Sequence, residues 1–256
     1  MSFTVVIPAR YGATRLPGKP LLDIAGKPMI QHVYERARES GAQQVIIATD
    51  DERIRQVAEG FGAEVCLTGS HHQSGTDRIA EVVDRYGFAD EHLVVNLQGD
   101  EPLMPPRVIR QVADNLAAHA EASLSTVCAR ISTAAELFDP HVVKVTRNVR
   151  EMAIYFSRAS IPWDRDAFAS TTEILPERAE HYRHIGIYAY RAGFLRAYTQ
   201  WEACALEQME SLEQLRAIWH GHQIHVAEAV ELPAAGVDTE RDLDVVRAKL
   251  MAQASA

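Results

Sequence analysis

Four short apolar runs, each followed by a polar cluster and then an amphipathic helical pattern, dominate the N-terminal part of the sequence. They are residues 3–8 (F-T-V-V-I-P), 45–49 (V-I-I-A-T), 64–67 (E-V-C-L) and 93–97 (L-V-V-N-L). A strand that is apolar at consecutive positions needs cover on both faces. Alternating helices supply that cover. The pattern therefore predicts an α/β fold with a mixed, mainly parallel sheet and helices on both faces. Between the first two runs, Pro28 opens and Gly41 closes a helix whose Met29, Ile30, Val33, Tyr34 and Ala37 share one face. Further helices are expected over 52–60, around Ile79, Val82 and Val83, and from Pro105-Pro106 to about 118.

The second half is less regular. Its expected strands are 123–130, 142–147, 152–156, 184–190 and 223–229, and its expected helices are 191–200, 207–219 and 239–252. Residues 157–182 lack periodicity and contain Pro162 and Pro176, as a lid or an interface element does.

A chain of 256 residues suits one large domain and can bury enough surface to fold without a disulfide or structural metal. Its net charge of −9 argues against nucleic acid or an anionic membrane surface as a partner. It leaves room for a small anionic substrate beside local cations. Cys66, Cys128 and Cys204 are scattered, with no C-x-x-C pair, so a reducing compartment is expected and a zinc knuckle is not. No apolar run approaches the ~18 residues of a membrane span, and the N-terminus enters the first strand without a basic leader. A cytoplasmic protein without membrane insertion is expected.

In an open parallel sheet, ligands bind beyond the carboxyl ends of the strands. The segments there are R-Y-G-A-T-R-L-P-G-K-P (10–20), Thr49-Asp50-Asp51, S-G-T-D-R (74–78) and Q-G-D-E-P (98–102). The first brings Arg10, Arg15 and Lys19 together with Gly12 and Gly18. Glycines admit a phosphate to backbone N–H groups, and the cations neutralise it. The segment is neither a Walker loop nor a G-x-G-x-x-G turn. A solvated turn is the competing reading, and the position directly after the first strand favours anion binding. Asp100 faces that loop as a magnesium ligand would, or serves as a turn carboxylate bonded to its own backbone. Asp238, in G-V-D-T, reads most simply as a helix N-cap. The histidines have no ligand spacing for zinc, and no nucleophile motif suggests a covalent mechanism. On the expected helix 207–219, Leu212, Leu215, Ile218 and Trp219 form the inner face. Glu210, Glu213 and Gln214 lie on the other side, either as a solvated face or as a set that bonds sugar hydroxyls.

Taken in order, V-I-P-A-R-Y-G-A-T-R-L-P-G-K-P, A-T-D-D, S-G-T-D-R, N-L-Q-G-D-E-P, H-I-G-I-Y-A-Y-R, L-E-Q-L-R and G-V-D-T resemble the 3-deoxy-manno-octulosonate (Kdo) cytidylyltransferases. R-x-x-S/T-R-L-P-x-K is shared with other sugar-acid cytidylyltransferases, and the combination is more specific. The resemblance implies a Rossmann-like nucleotidyltransferase fold related to the glycosyltransferase-A group, with a smaller inserted region for the sugar site and dimer contact. It implies the reaction CTP + Kdo → CMP-Kdo + diphosphate, with Mg²⁺, in a homodimer serving lipopolysaccharide biosynthesis. Residues 1–120 would form the nucleotide half, about 130–200 the sugar and dimer region, and 220–256 a closing strand and helix of one domain. By matching motif, Arg10, Arg15 and Lys19 would bind the triphosphate, and Ser74, Gly75, Asp77, Arg78 and Gln98 would line the cytidine side. Asp100 and Asp238 would hold magnesium, and Arg158, His184, Tyr188, Glu213 and Gln214 would surround the sugar acid.

Overall fold

Successive residues of the first strand point to opposite faces of the sheet, and each face meets helices. Val5 and Ile7 pack with Val33, Val108 and Val112 in one fully buried core, while Val6 packs with Ile79, Val82 and Val83 in another. That two-sided burial is why the strand is apolar throughout. The computed structural model describes residues 2–12, 16–72, 74–176 and 180–254. The strands are β1 Thr4–Ala9, β2 Gln44–Thr49, β3 Glu64–Leu67, β4 Leu93–Asn96, β5 Ala122–Arg130, β6 Lys144–Arg147, β7 Ala153–Ser157, β8 Tyr182–Arg191 and β9 Gln223–Glu228. The helices are α1 Met29–Glu39, α2 Glu52–Gly60, α3 Gly75–Arg85, α4 Pro106–Ala118, α5 Ala134–Phe138, α6 Arg165–Phe168, α7 Ala192–Tyr198, α8 Ala205–Glu210, α9 Gln214–Trp219 and α10 Glu240–Ala254.

The strand order is β9-β5-β8-β4-β1-β2-β3. β4, β1, β2 and β3 run parallel, β8 lies antiparallel between β4 and β5, and β9 is parallel to β5. The sheet is thus mixed and mainly parallel along this path, as expected. β6 and β7 leave the path as a branch paired through β8. From β1 the chain builds to one side as β2 and β3, then returns to the other side as β4. Their carboxyl ends form the switch-point crevice where open sheets take ligands.

Three local features aim residues at that crevice. First, β8 is bulged: the five residues from Ile185 to Ala189 lie opposite the three from Val127 to Ser125. A bulge re-aims side chains, and here His184 and Tyr188 line the same cavity. Second, α10 folds back onto the loop after β1. Leu243 and Val246 pack with Leu16, Ile24 and Met29, and Arg247 donates two hydrogen bonds to Asp23 O at 3.0 and 2.9 Å. Burying an aliphatic side chain of this size is worth about 2 kcal/mol, so this contact firmly ties Asp238 to the N-terminal loop.

Third, the helix expected over 207–219 is two short helices, because Ser211 adopts a left-handed conformation at φ 53°. Arg216 of α9 reaches back to Glu207 of α8 with two bonds of 2.7 and 2.5 Å, which holds the break shut. The break resets the helical phase. Leu212 and Leu215 are buried as expected, but Trp219 is 57% exposed. Glu210, Glu213 and Gln214 consequently do not form one face. Glu210 turns to Ser157 and Arg158, whereas Glu213 and Gln214 open onto the crevice.

Candidate active site

The crevice holds two adjoining cavities that share Arg10 and Gln98. The smaller, about 280 Å³, is lined by residues after β1 and β4, among them Lys19, Gly99 and Asp100. The larger is about 420 Å³, within the range of small-molecule sites. Ser74, Gly75 and Thr76 form one wall, Asn96 and the β8 residues His184, Tyr188 and Tyr190 the floor, and Glu213 and Gln214 the far side. Close backbone approach shapes the smaller cavity. A Cβ on Gly99 would sit 2.9 Å from Pro8 O, a backbone atom that cannot yield.

In the smaller cavity Lys19 Nζ donates to Asp100 Oδ2 at 2.7 Å, Val237 O at 2.6 Å and Asp238 Oδ1 at 3.2 Å. The N-cap role that the sequence suggests for Asp238 is filled by its neighbours. Thr239 Oγ1 accepts from Asp242 N at 3.3 Å, and Asp242 Oδ2 accepts from Thr239 N at 2.8 Å. This capping box leaves the Asp238 carboxylate free to face Lys19. Three hard oxygens around one cation are also a donor set that suits magnesium, with phosphate and water completing the shell. Among the described residues no group of three or more His, Cys, Asp or Glu could hold a metal through protein side chains alone. Glu101, passed over in the sequence, lies behind this pair. Burial, and then the charges of Asp100 and Asp238, push its pKa up to about 8. The second carboxylate of Q-G-D-E-P was the available signal. Gly236 lets the chain before α10 close over Glu101, since a Cβ there would sit 3.0 Å from Glu101 Oε1.

In the larger cavity the S-G-T-D-R segment divides its work. Ser74 and Gly75 line the wall. Asp77 and Arg78, expected to do the same, hold the wall in place. Ser74 Oγ accepts from Asp77 N at 3.1 Å while Asp77 Oδ2 accepts from Ser74 N at 3.3 Å, a capping box at the start of α3. Arg78 is 2% exposed, pairs with Asp50 at 3.1 Å and donates to Thr68. Burial pulls its pKa below the usual guanidinium value, and Asp50 opposes this.

His184 is half-buried, and desolvation pushes its pKa down to about 3. Its Nε2 lies 2.9 Å from Thr126 Oγ1, which also approaches the carbonyls of Ile185 and Ile187 at 3.0 and 2.7 Å. The threonine proton belongs to a carbonyl, so His184 donates from Nε2 and keeps a lone pair on Nδ1. It is a neutral acceptor, not a cation. Burial raises the Tyr188 phenol well above its ordinary value, so it too is neutral. Arg158 does not line either cavity. Its Nε donates to Glu210 O at 2.7 Å and its Nη1 to Pro140 O at 3.1 Å, which anchors the start of segment 157–182 to α8. Arg10 is the only Arg or Lys among the described residues lining the larger cavity. Arg15 lies outside the described residues.

The sequence and fold match known proteins. Residues 4–224 match the cytidylyltransferase family model. A 3-deoxy-manno-octulosonate cytidylyltransferase of Aeromonas hydrophila is 60% identical over 255 residues, covering 98% of this chain and 99% of that one. One of Pseudomonas fluorescens is 59% identical over 251 residues, covering 98% and 99%. The solved structure of a CMP:2-keto-3-deoxy-manno-octonic acid synthetase complexed with CTP superposes with a TM-score of 0.89 at 46% identity, covering 99% of both chains. A cytidylyltransferase from Leptospira borgpetersenii, with a TM-score of 0.55 and 17% identity over 94% of this chain and 79% of that one, shares the fold. The chain belongs to the 3-deoxy-manno-octulosonate cytidylyltransferase family.

Proposed function

We propose that the chain transfers a cytidylyl group from CTP to Kdo, forming CMP-Kdo and diphosphate. The observation that carries this reading is the pair of cavities meeting at Arg10 and Gln98, one polar and cationic, the other lined by hydroxyls, amides and aromatic rings. The triphosphate occupies the smaller cavity, with Arg10, Arg15 and Lys19 neutralising it. Cytidine lies along Ser74, Gly75 and Gln98. The sugar acid fills the larger cavity against His184, Tyr188, Glu213 and Gln214.

A sugar hydroxyl attacks the α-phosphorus: its oxygen forms the new P–O bond, its O–H bond breaks with the proton leaving to solvent, and the P–O bond to the diphosphate breaks. Such a transfer depends on positioning and charge neutralisation more than on a protein nucleophile. Magnesium, when bound by Asp100 and Asp238, supplies charge neutralisation at the phosphates. Lys19, which lines the smaller cavity, holds the departing diphosphate. Arg10, which lines both cavities, faces the acceptor carboxylate as well as the triphosphate. His184 Nδ1 and the Glu213 carboxylate accept from sugar hydroxyls, and Gln214 both donates and accepts.

The enzyme works as a homodimer in the cytoplasm, within lipopolysaccharide biosynthesis. Exposed apolar Ile154, Trp163 and Ile174, at 58, 55 and 70%, favour a covered surface around β7 and segment 157–182. Three free buried cysteines suit a reducing compartment, and no helix among the described residues is long and apolar enough to cross a membrane. The test is diphosphate release from each nucleoside triphosphate with a panel of sugar acids. Release with CTP and Kdo is expected. Release with another 2-keto sugar acid and none with Kdo overturns the acceptor assignment.

A further inference from the structure

H-I-G-I-Y carries a glycine, Gly186, that neither the backbone nor the packing demands. It lies in the β8 bulge, where the ladder to β5 passes from Ile185 to Ala189. A bulge that requires glycine holds it in the left-handed conformation, and Gly186 has no such φ. A Cβ on Gly186 would meet nothing beyond its chain neighbours within 4 Å. A strand glycine that the fold itself does not need marks a place where a ligand comes close. Its surroundings agree. Gly186 lines the larger cavity and also a third one, of about 250 Å³. Among the described residues, those two cavities share His184 and Gly186 alone.

The third cavity has its own chemistry. Glu101 and Arg183 bring polar groups to it, and residues 233–236 (P-A-A-G) close one side. Arg183, the one Arg or Lys among the described residues lining it, is already ion-paired with Glu136 at 3.1 Å. An anionic group is therefore poorly matched there. A neutral group with hydroxyls fits, since hydroxyls accept from a guanidinium and donate to a carboxyl. An eight-carbon 2-keto acid closed into a six-membered ring keeps a two-carbon hydroxylated arm outside it. We propose that Gly186 is a specificity-determining residue: its missing side chain opens a passage between the larger and the third cavity, through which that arm reaches Arg183 and Glu101. The identity of the sugar acid rests on the function proposed above; the passage rests on geometry.

The experiment combines steady-state kinetics, thermal unfolding and thiol labelling. Gly186→Ala should raise the KM for Kdo about tenfold and Gly186→Val more, the scale of one carbon too many in a pocket. The KM for CTP should change much less. Gly186→Ala should keep or raise Tm, because the native backbone accepts a side chain and the unfolded chain loses freedom. Arg183→Met should also raise the KM for Kdo, with calorimetric CTP binding unchanged. An unchanged KM for Kdo in Gly186→Val overturns the passage. A Tm lowered in Gly186→Ala does so too, because the glycine would then serve the fold. An unchanged KM in Arg183→Met overturns the destination of the arm. Absence of diphosphate release from the wild-type enzyme with CTP and Kdo overturns the acceptor assignment instead, and labelling then decides the passage. The native cysteines are buried, so a methanethiosulfonate reagent reads the thiol introduced by Gly186→Cys. Whichever sugar acid the enzyme turns over should shield that thiol, and CTP alone should not. A thiol left unshielded by that acid overturns the passage.

Discussion

The nucleotide rim and the sugar rim of this crevice are built by different means. The first is made from short continuous segments, each directly after a parallel strand, and is braced by local devices: the capping box of Ser74 and Asp77, and the Arg78–Asp50 pair. The second is gathered from a bulged strand, α7 and the start of α9, with aromatic rings between them. A rim made of motifs stays rigid through backbone contacts close in sequence. A rim gathered from distant elements depends on side-chain packing and on bonds between residues far apart in sequence, such as Thr76 to Glu213. The predictions that follow probe this contrast, beginning with the greatest loss.

The steepest loss is expected at the cationic end. Asp100→Asn and Asp238→Asn should each keep the fold and lower turnover by roughly 10²–10³-fold, the scale of removing one preorganised electrostatic contact. Chelation of magnesium in the wild-type enzyme should stop turnover, and readdition should restore it. Unchanged kinetics in both variants at low magnesium would remove the metal from this end of the crevice.

The next test asks whether Arg78 belongs to the ligand or to the scaffold. Its guanidinium is buried, and Asp50 is its partner. Arg78→Met should lower stability by about 3 kcal/mol in urea unfolding, because a partly buried carboxylate loses its counter-charge. Nucleotide affinity in the folded fraction should change much less. A stable variant that no longer binds CTP would return Arg78 to the nucleotide, as its motif suggests.

This division marks how far the sequence is legible. Runs such as V-V-I-P and V-I-I-A-T state their strands directly, because two-sided burial leaves no polar position. The clusters after them announce a site, because topology puts them on one edge. Which member of a cluster touches the ligand is not stated: Asp77 and Arg78 stand beside Ser74 and Gly75 in S-G-T-D-R, yet only the latter two line the cavity. Asp238 looks like a cap until Asp242, four residues on, proves to take the capping bond. The break at Ser211 is invisible to helical periodicity. It comes from tertiary contacts, Arg216 with Glu207 and the burial of Leu212, which outweigh the cost of a left-handed serine. Thr76 stands in S-G-T-D-R, yet its bond to Glu213 exists only once α3 and α9 have packed together.

Acid pH should load the sugar rim. His184 titrates near its ordinary value of about 6.5 in the unfolded chain and only at about 3 in the folded protein. Between these values the unfolded state binds the extra proton. Stability is therefore full above pH 6.5 and is lost as pH falls toward 3, by about 1.4 kcal/mol per pH unit for one such site. His225, pushed down to about 4 by burial and then by the charge of His119, whose ring stacks on it, adds to the slope. His184→Gln should flatten the dependence between pH 6 and 4 in denaturant unfolding. Equal slopes for variant and wild type would show that His184 is not held neutral.

The smallest effect is expected at Gln214, and it bears most directly on the contrast between the rims. The side chain is buried at the start of α9 and lines the larger cavity, away from Lys19 and Asp100. Gln214→Ala removes an amide that can donate to one sugar hydroxyl and accept from another. One such bond is worth roughly 0.5–1.5 kcal/mol net, so the KM for Kdo should rise by up to about tenfold. Calorimetric CTP binding should be nearly unchanged, because Gln214 has no part in the smaller cavity and sits on the far side of the larger one from the Ser74–Gly75 wall assigned to cytidine. Lys19→Ala is the reference: its ammonium sits among Asp100, Asp238 and Val237 O, and its loss should fall mainly on CTP use and on kcat. Steady-state kinetics with each substrate varied in turn separates the two patterns. If Gln214→Ala weakened CTP binding as strongly as Lys19→Ala, the crevice would be a single site with no division between its rims.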